Sequence, residues 1–150
     1  MNTIFVITLS AHIILGLIAL IAHYATLIGL LKKVVSRRFL IGSSVIAATS
    51  YVLSWISGGY YYVLYYGDSV KPAIVGGAYP WAHIIVMEWK EHIFLMLPPV
   101  AILIALLLTY SNYDESTSAN RKALILITAV ATILATLITL SGIIISGGAR

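Results

Sequence analysis

Four long apolar segments dominate the sequence and restrict what the chain can fold into. They predict helices at approximately 3–31, 39–66, 80–110 and 121–146, each at or above the roughly 20 residues that a helix needs to cross a hydrocarbon core. None alternates apolar and polar residues with a period of two, which excludes a membrane β-barrel. Because helices satisfy their own backbone hydrogen bonds in lipid, we expect an all-α integral membrane four-helix bundle, formed as one domain by residues 1–150.

The composition excludes several other classes of protein. Charged residues make up 9% of the chain and hydrophobic residues 61%, whereas a soluble domain carries about 25% charged residues. The nine basic residues mostly flank the apolar segments, so the net charge of +4 predicts no nucleic-acid partner. The absence of cysteine excludes disulfides, thiolate metal sites, iron–sulfur clusters and covalently attached c-type haem.

The distribution of basic residues predicts the orientation. Four lie in Lys32–Arg38 and two more are Arg121 and Lys122, so these two connections hold six of the nine. The positive-inside rule places both connections in the cytoplasm and both termini on the outer side of a plasma (cytoplasmic) membrane. The polar connection 111–120 is predicted to be a solvated turn. The first segment has no basic residue before it and is longer than a signal-peptide core, so we expect a retained helix.

Aromatic residues concentrate around the predicted outer connection. All three tryptophans and seven of ten tyrosines fall within Tyr51–Trp89, including the cluster Tyr60–Tyr66. An aromatic belt at the membrane interface explains most of them, and the excess predicts a packed outer cap over a pocket. Pro80 is placed to start the third helix, and Pro98–Pro99 predict a kink within it.

Histidines carry the main chemical signal. Ionisable residues inside a span usually face the bundle interior or a polar cavity, and an interhelical hydrogen bond is the alternative to a cofactor role. At 1.5 Å per residue, His12 lies about 7–8 Å and His92 about 8–9 Å to the outer side of the midplane. Two histidines at matching depth on different helices predict axial ligation of one b-type haem.

Two neighbours of His92 are candidate haem-binding residues. Glu88 is one helical turn before His92 and is expected to accept the proton of the ring nitrogen that does not bind metal. Lys90 lies at the headgroup level, where it could pair with a haem propionate or a lipid phosphate. The alternative is a solvated interfacial face with a snorkelling lysine.

The other two histidines are weaker metal candidates. His23 lies about 20° around the first helix from His12 and has no histidine at its own depth. A hydrogen bond to Thr26 or to a threonine of the fourth helix is favoured over a second haem shared between protomers or a bond to quinone. His83 could bind copper with Met87, Glu88 and His92, whose imidazole and thioether groups suit that metal. Because His83 and His92 are nine residues apart, that site needs a helix break or a ligand such as His12.

The same residues carry a family resemblance. His12, the basic stretch Lys32–Arg38 and the run from Pro80 to His92 resemble the small four-helix membrane proteins of the copper-resistance-D-like group, several of which look like b-type cytochromes. The resemblance covers the whole chain as topology and implies haem or copper handling.

Together these features predict a membrane-embedded b-type haem subunit that carries electrons between quinol and an outer-face partner, within a larger complex. One alternative is a non-catalytic accessory subunit of a membrane complex, in which the histidines only join helices. The other is a copper-binding or copper-transport protein. The short loops leave little room for a separate substrate site, which favours an electron-transfer or accessory subunit over a stand-alone catalyst.

Overall fold

A computed structural model describes residues 2–32, 35–111 and 119–149. The described residues are helical with no strand, as predicted. In chain order the elements are α1 (Thr3–Leu31), α2 (Arg37–Tyr61), the π-helix π1 (Tyr62–Val70), α3 (Lys71–Val75), the π-helix π2 (Ala82–Met87), α4 (Glu88–Phe94), α5 (Leu97–Tyr110) and α6 (Ala119–Gly148).

These elements are arranged in four spans. Span 1 is α1, span 2 runs over Arg37–Val75, span 3 over Ala82–Tyr110, and span 4 is α6; each is long and apolar enough to cross a membrane. The prediction of a multi-pass four-helix bundle is thereby confirmed. Four crossings bring both termini to one end of the bundle, which we call the N-terminal end. The opposite end, with the connections after spans 1 and 3, is the basic end.

Span 2 is longer than the sequence suggested. Its predicted end was residue 66, but the helix continues to Val75 through π1 and α3. The residues Gly67–Pro72, which read as a loop, are thus helical. Pro72 lies at the junction where the π-helical turn of π1 passes into α3.

Span 3 is interrupted where the two prolines predicted a kink. Helix α4 ends at Phe94, and Pro98–Pro99 occupy the first turn of α5. A proline in mid-helix removes a backbone hydrogen bond and clashes with the preceding turn, so the chain restarts the helix instead.

Small and hydroxyl residues join the spans. Thr26 and Ser43 share a hydrogen bond of 2.8 Å between their hydroxyl oxygens, linking α1 to α2. On α6 a face of small residues is buried in the bundle; its members include Thr128, Ala131, Thr132 and Ala135. Such residues allow close approach of backbones, which drives helix packing in lipid.

Arginines cap two helices at the basic end. Arg121 donates hydrogen bonds to the carbonyls of Leu30 (2.8 Å) and Lys32 (2.7 Å), at the carboxyl end of α1. Arg37 does the same for α5 through the carbonyls of Thr109 and Ser111, at 2.9 and 3.3 Å. Cations at these ends satisfy free carbonyls and oppose the helix dipole. The predicted turn over residues 112–118 lies outside the described residues, as does Lys33 of the other basic connection.

Candidate functional site

All four spans line a cavity of about 450 Å³ in the N-terminal half of the bundle. This volume lies within the roughly 300–1,000 Å³ of typical ligand sites. Most of its wall is apolar or aromatic, from Leu9, Trp55, Tyr61, Tyr62, Tyr66, Met87, Phe94 and Ile145 among others. The cavity lies beneath the aromatic cluster, where the sequence predicted a capped pocket.

His12 is the one histidine among the residues that line this cavity. Its Nδ1 lies 2.9 Å from the main-chain oxygen of Ser54 and 3.0 Å from the hydroxyl oxygen of the same residue. The Ser54 hydroxyl in turn donates to the main-chain oxygen of His12 at 3.0 Å. The main-chain carbonyl of Ser54 can only accept a hydrogen bond. The proton of a neutral His12 imidazole is therefore on Nδ1, and Nε2 keeps its lone pair.

Gly58 makes the position of the His12 ring possible. A Cβ atom at residue 58 would overlap Nδ1 of His12 and lie 2.8 Å from its Cε1. The imidazole therefore packs against the backbone of α2, one turn beyond Ser54. At the neighbouring Gly59, an added Cβ would meet nothing within 4 Å.

A small charged group belongs to the same cavity. Lys90 and Glu91 of α4 both line it, and Lys90 is close enough to interact electrostatically with Glu91 and His12. Tyr62 lies beside the Glu91 carboxylate, one oxygen of which is buried without a hydrogen-bond partner among the described residues. The cavity thus holds one base, one cation and one carboxylate within an aromatic wall.

His92 and Glu88 lie on a different face of α4. The His92 ring is exposed, and its Nδ1 donates to the main-chain oxygen of Glu88 at 2.6 Å, so the contact runs through the backbone and not through the carboxylate. His92 lies close to the level of His12 along the bundle, because the His12 ring packs 5.9 Å from the ring of Phe94, which is two residues after His92. The two histidines do not share the cavity, however, since His92 is exposed and is not among the residues that line it.

His83 is buried and belongs to a second polar contact. Its Nδ1 lies 3.0 Å from the Tyr66 hydroxyl, and its Nε2 lies 3.9 Å from a carboxylate oxygen of Glu88. Within the described residues, no three His, Asp or Glu side chains are close enough to hold a metal ion. Of the four residues of the copper alternative, the structure brings the side chains of His83 and Glu88 together, whereas the exposed His92 ring bonds only to the Glu88 backbone.

His23 is buried far from the cavity lining. Its side chain is 1% exposed, and neither ring nitrogen has a hydrogen-bond partner in the described structure. The expected bond to Thr26 is absent, because that hydroxyl bonds the Ala22 carbonyl and Ser43. The nearest aromatic neighbour is Tyr51, with ring centroids 5.7 Å apart.

Sequence reasoning missed Ser54 and Gly58, which hold His12, and Tyr66, which holds His83. A usable signal existed for the first two. Ser54, Ser57, Gly58 and Gly59 form a polar and small patch within an otherwise apolar span, and such patches mark close helix contacts.

In comparisons with known proteins, the chain matches no family model, no curated protein and no solved structure.

Proposed function

We propose that the protein is a membrane-embedded haem subunit that passes electrons from a quinol to a partner at the N-terminal end, with His12 as axial ligand of a b-type haem. The observation that carries the proposal is the bond from Nδ1 of His12 to Ser54, which leaves Nε2 unprotonated in an aromatic cavity. Ligating histidines in metalloproteins make this kind of bond with their other nitrogen, which fixes the tautomer and the ring orientation.

The rest of the cavity suits a flat, largely apolar group with anionic substituents. Trp55, Tyr62 and Phe94 provide aromatic walls, and Lys90 provides a cation for a propionate. When bound, the haem iron supplies one-electron redox chemistry. The chain's own residues orient the ligand through His12 and keep water away from it with the aromatic walls.

Orientation and assembly complete the proposal. The basic end carries Arg37, Arg38, Arg121 and Lys122, which supports a cytoplasmic location for it and an outer location for the cavity. The electron acceptor then lies on the outer side of the plasma membrane, and the exposed His92 and Glu88 are available to another subunit of a complex.

The test compares two histidines at nearly the same depth. Wild type and the His92→Ala variant, purified from a haem-supplied host, should both show Soret and α bands, because His92 is outside the cavity lining. His12→Ala should lose most of the chromophore, because no other histidine lines the cavity.

Two outcomes would contradict this arrangement. Equal loss of chromophore from either variant would mean that His12 and His92 ligate one iron together. A colourless, metal-free wild type that copurifies with stoichiometric larger subunits would instead identify a non-catalytic accessory subunit.

A further inference from the structure

We infer that Tyr66, His83 and Glu88 form a proton path from the cavity to the aqueous face at the N-terminal end. This inference rests on the proposed function, in which a quinol donates the electrons. Oxidation of a quinol to a quinone gives two electrons and two protons. The electrons would pass to the haem held by His12, so the protons of a quinol at the Tyr66 side of the cavity would need a separate route to water.

The cavity end of the path is Tyr66. Its ring lines the cavity, stacks on Tyr62 with centroids 5.2 Å apart, and is 3% exposed. Its hydroxyl oxygen lies 3.0 Å from Nδ1 of His83. A buried hydroxyl that touches both a ligand cavity and a titratable ring can pass a proton between them.

His83 is the buried middle of the path. Its side chain is 4% exposed, whereas that of Glu88 is 51% exposed, and the Nε2–carboxylate distance is 3.9 Å. A carboxylate only accepts, so it favours the proton on Nε2, and Nδ1 then accepts from the Tyr66 hydroxyl. One bridging water or a small rotation of Glu88 closes the 3.9 Å gap between Nε2 and the carboxylate. The exposed carboxylate then connects His83 to solvent.

The transfer balances at each atom. Tyr66 gives its proton to Nδ1 of His83 and receives one at its oxygen from the cavity. His83 gives the Nε2 proton to Glu88, which releases it to water. The ring returns to its starting tautomer when water entering beside the exposed Glu88 takes the proton from Nδ1 and returns one to Nε2. One proton enters the path and one leaves it, and no electron moves along it.

Among the described residues, Tyr66 and Glu88 are the only side chains in hydrogen-bond or ion-pair contact with the His83 ring. The turns of α6 beside π2, from Ile145 to Gly148, have no titratable side chain. Helix α3 contributes buried Ile74, and its Lys71 is exposed. On the cavity side, Tyr66 is surrounded electrostatically by Tyr61, Tyr62, Glu88 and Glu91.

The two π-helices explain how the contact arises. Tyr66 lies in π1 and His83 in π2, and π turns inside helices are found most often at functional sites. The hydroxyl–imidazole bond joins spans 2 and 3, so the path is part of the wall that closes the cavity.

The kinetic test compares Tyr66 with Tyr60, an exposed tyrosine of the same cluster that does not line the cavity. Holoprotein with oxidised haem in lipid nanodiscs is mixed with a short-chain benzoquinol in a weakly buffered solution that contains a pH dye. Haem reduction and proton release are followed together. Tyr66→Phe should slow both by at least about tenfold, whereas Tyr60→Phe should match wild type. Reduction by dithionite, which releases no quinol proton, should be equal in all three proteins. Equal quinol rates in Tyr66→Phe and wild type would overturn the path.

A second measurement needs no cofactor. Nitrogen NMR of ring-labelled histidine in bilayers, assigned with His83→Gln, should show His83 protonated on Nε2 with Nδ1 accepting a hydrogen bond that Tyr66→Phe removes. A ring protonated on Nδ1 would overturn the path even if haem is bound. Correct His83 signals in a protein without any chromophore would keep the relay geometry and refute the haem proposal alone.

Discussion

Replacing Gly58 by alanine tests whether the packing of His12 against α2 is as tight as the structure indicates. The added Cβ would overlap Nδ1 and lie 2.8 Å from Cε1, whereas ordinary contacts begin at 3.4 Å, so the ring must move by at least about 0.6 Å. That movement stretches the 2.9 Å bond from Nδ1 to Ser54 beyond the range of a good hydrogen bond. Overpacking of this kind costs about 1–3 kcal/mol, and an interhelical hydrogen bond in a membrane bundle contributes about 0.6 kcal/mol.

Gly59→Ala is the matched control. Both glycines lie in α2 and line the cavity, but an added Cβ at Gly59 meets nothing within 4 Å. Alanine favours a helix over glycine by about 0.5–1 kcal/mol, and both variants gain this equally. The difference in unfolding free energy between them should therefore be about 1–3 kcal/mol, with Gly58→Ala the less stable.

The assay is thermal unfolding of both variants by circular dichroism in the same detergent, with the Soret absorbance per protein recorded before heating. We expect Gly58→Ala to melt earlier and to bind less haem. Equal midpoints and equal absorbance in the two variants would refute the close packing of His12.

Three further predictions concern positions away from His12. Replacing His23 by alanine should leave the chromophore intact, because the residue lies outside the cavity lining; loss of half or more of the absorbance would indicate a second haem. Arg121→Leu should lower the unfolding free energy by about 1–3 kcal/mol, because it removes the donor to the carbonyls of Leu30 and Lys32 at the end of α1. Lys122→Leu, at the exposed neighbour, should change the unfolding free energy little, and equal losses in the two variants would contradict the capping role. Gly148→Ala should destabilise the bundle, because its Cβ would meet that of a facing alanine at 2.8 Å, whereas an added Cβ at Gly147 would meet nothing; an unchanged melting midpoint for Gly148→Ala would contradict that contact.

The spans were predictable because lipid allows few alternatives. Apolar length alone identifies four helices, and prolines mark where the helix of span 3 is interrupted. The level along the bundle was equally accessible: a rise of 1.5 Å per residue predicts His12 and His92 at similar depth, and the His12 ring contacts Phe94, two residues after His92.

Which side chains point into the cavity was not predictable in the same way. A π turn closes hydrogen bonds from residue i to i+5, so it shifts the phase of all later residues relative to the 3.6-residue pattern. Helix α4 begins directly after π2. In α4, Glu91 lines the cavity and His92 is exposed, and no periodicity in the sequence reports which of the two faces the bundle.

The reciprocal contact between His12 and Ser54 also has a consequence for the order of events during synthesis. Both residues, and the Thr26–Ser43 bond, lie in the first two spans. Helices insert individually and associate afterwards, so this hairpin can join while the ribosome is still making spans 3 and 4. The imidazole is then oriented before Phe94, Lys90 and α6 exist. Folding thus proceeds from an oriented His12 side chain to the cavity walls that spans 3 and 4 add around it.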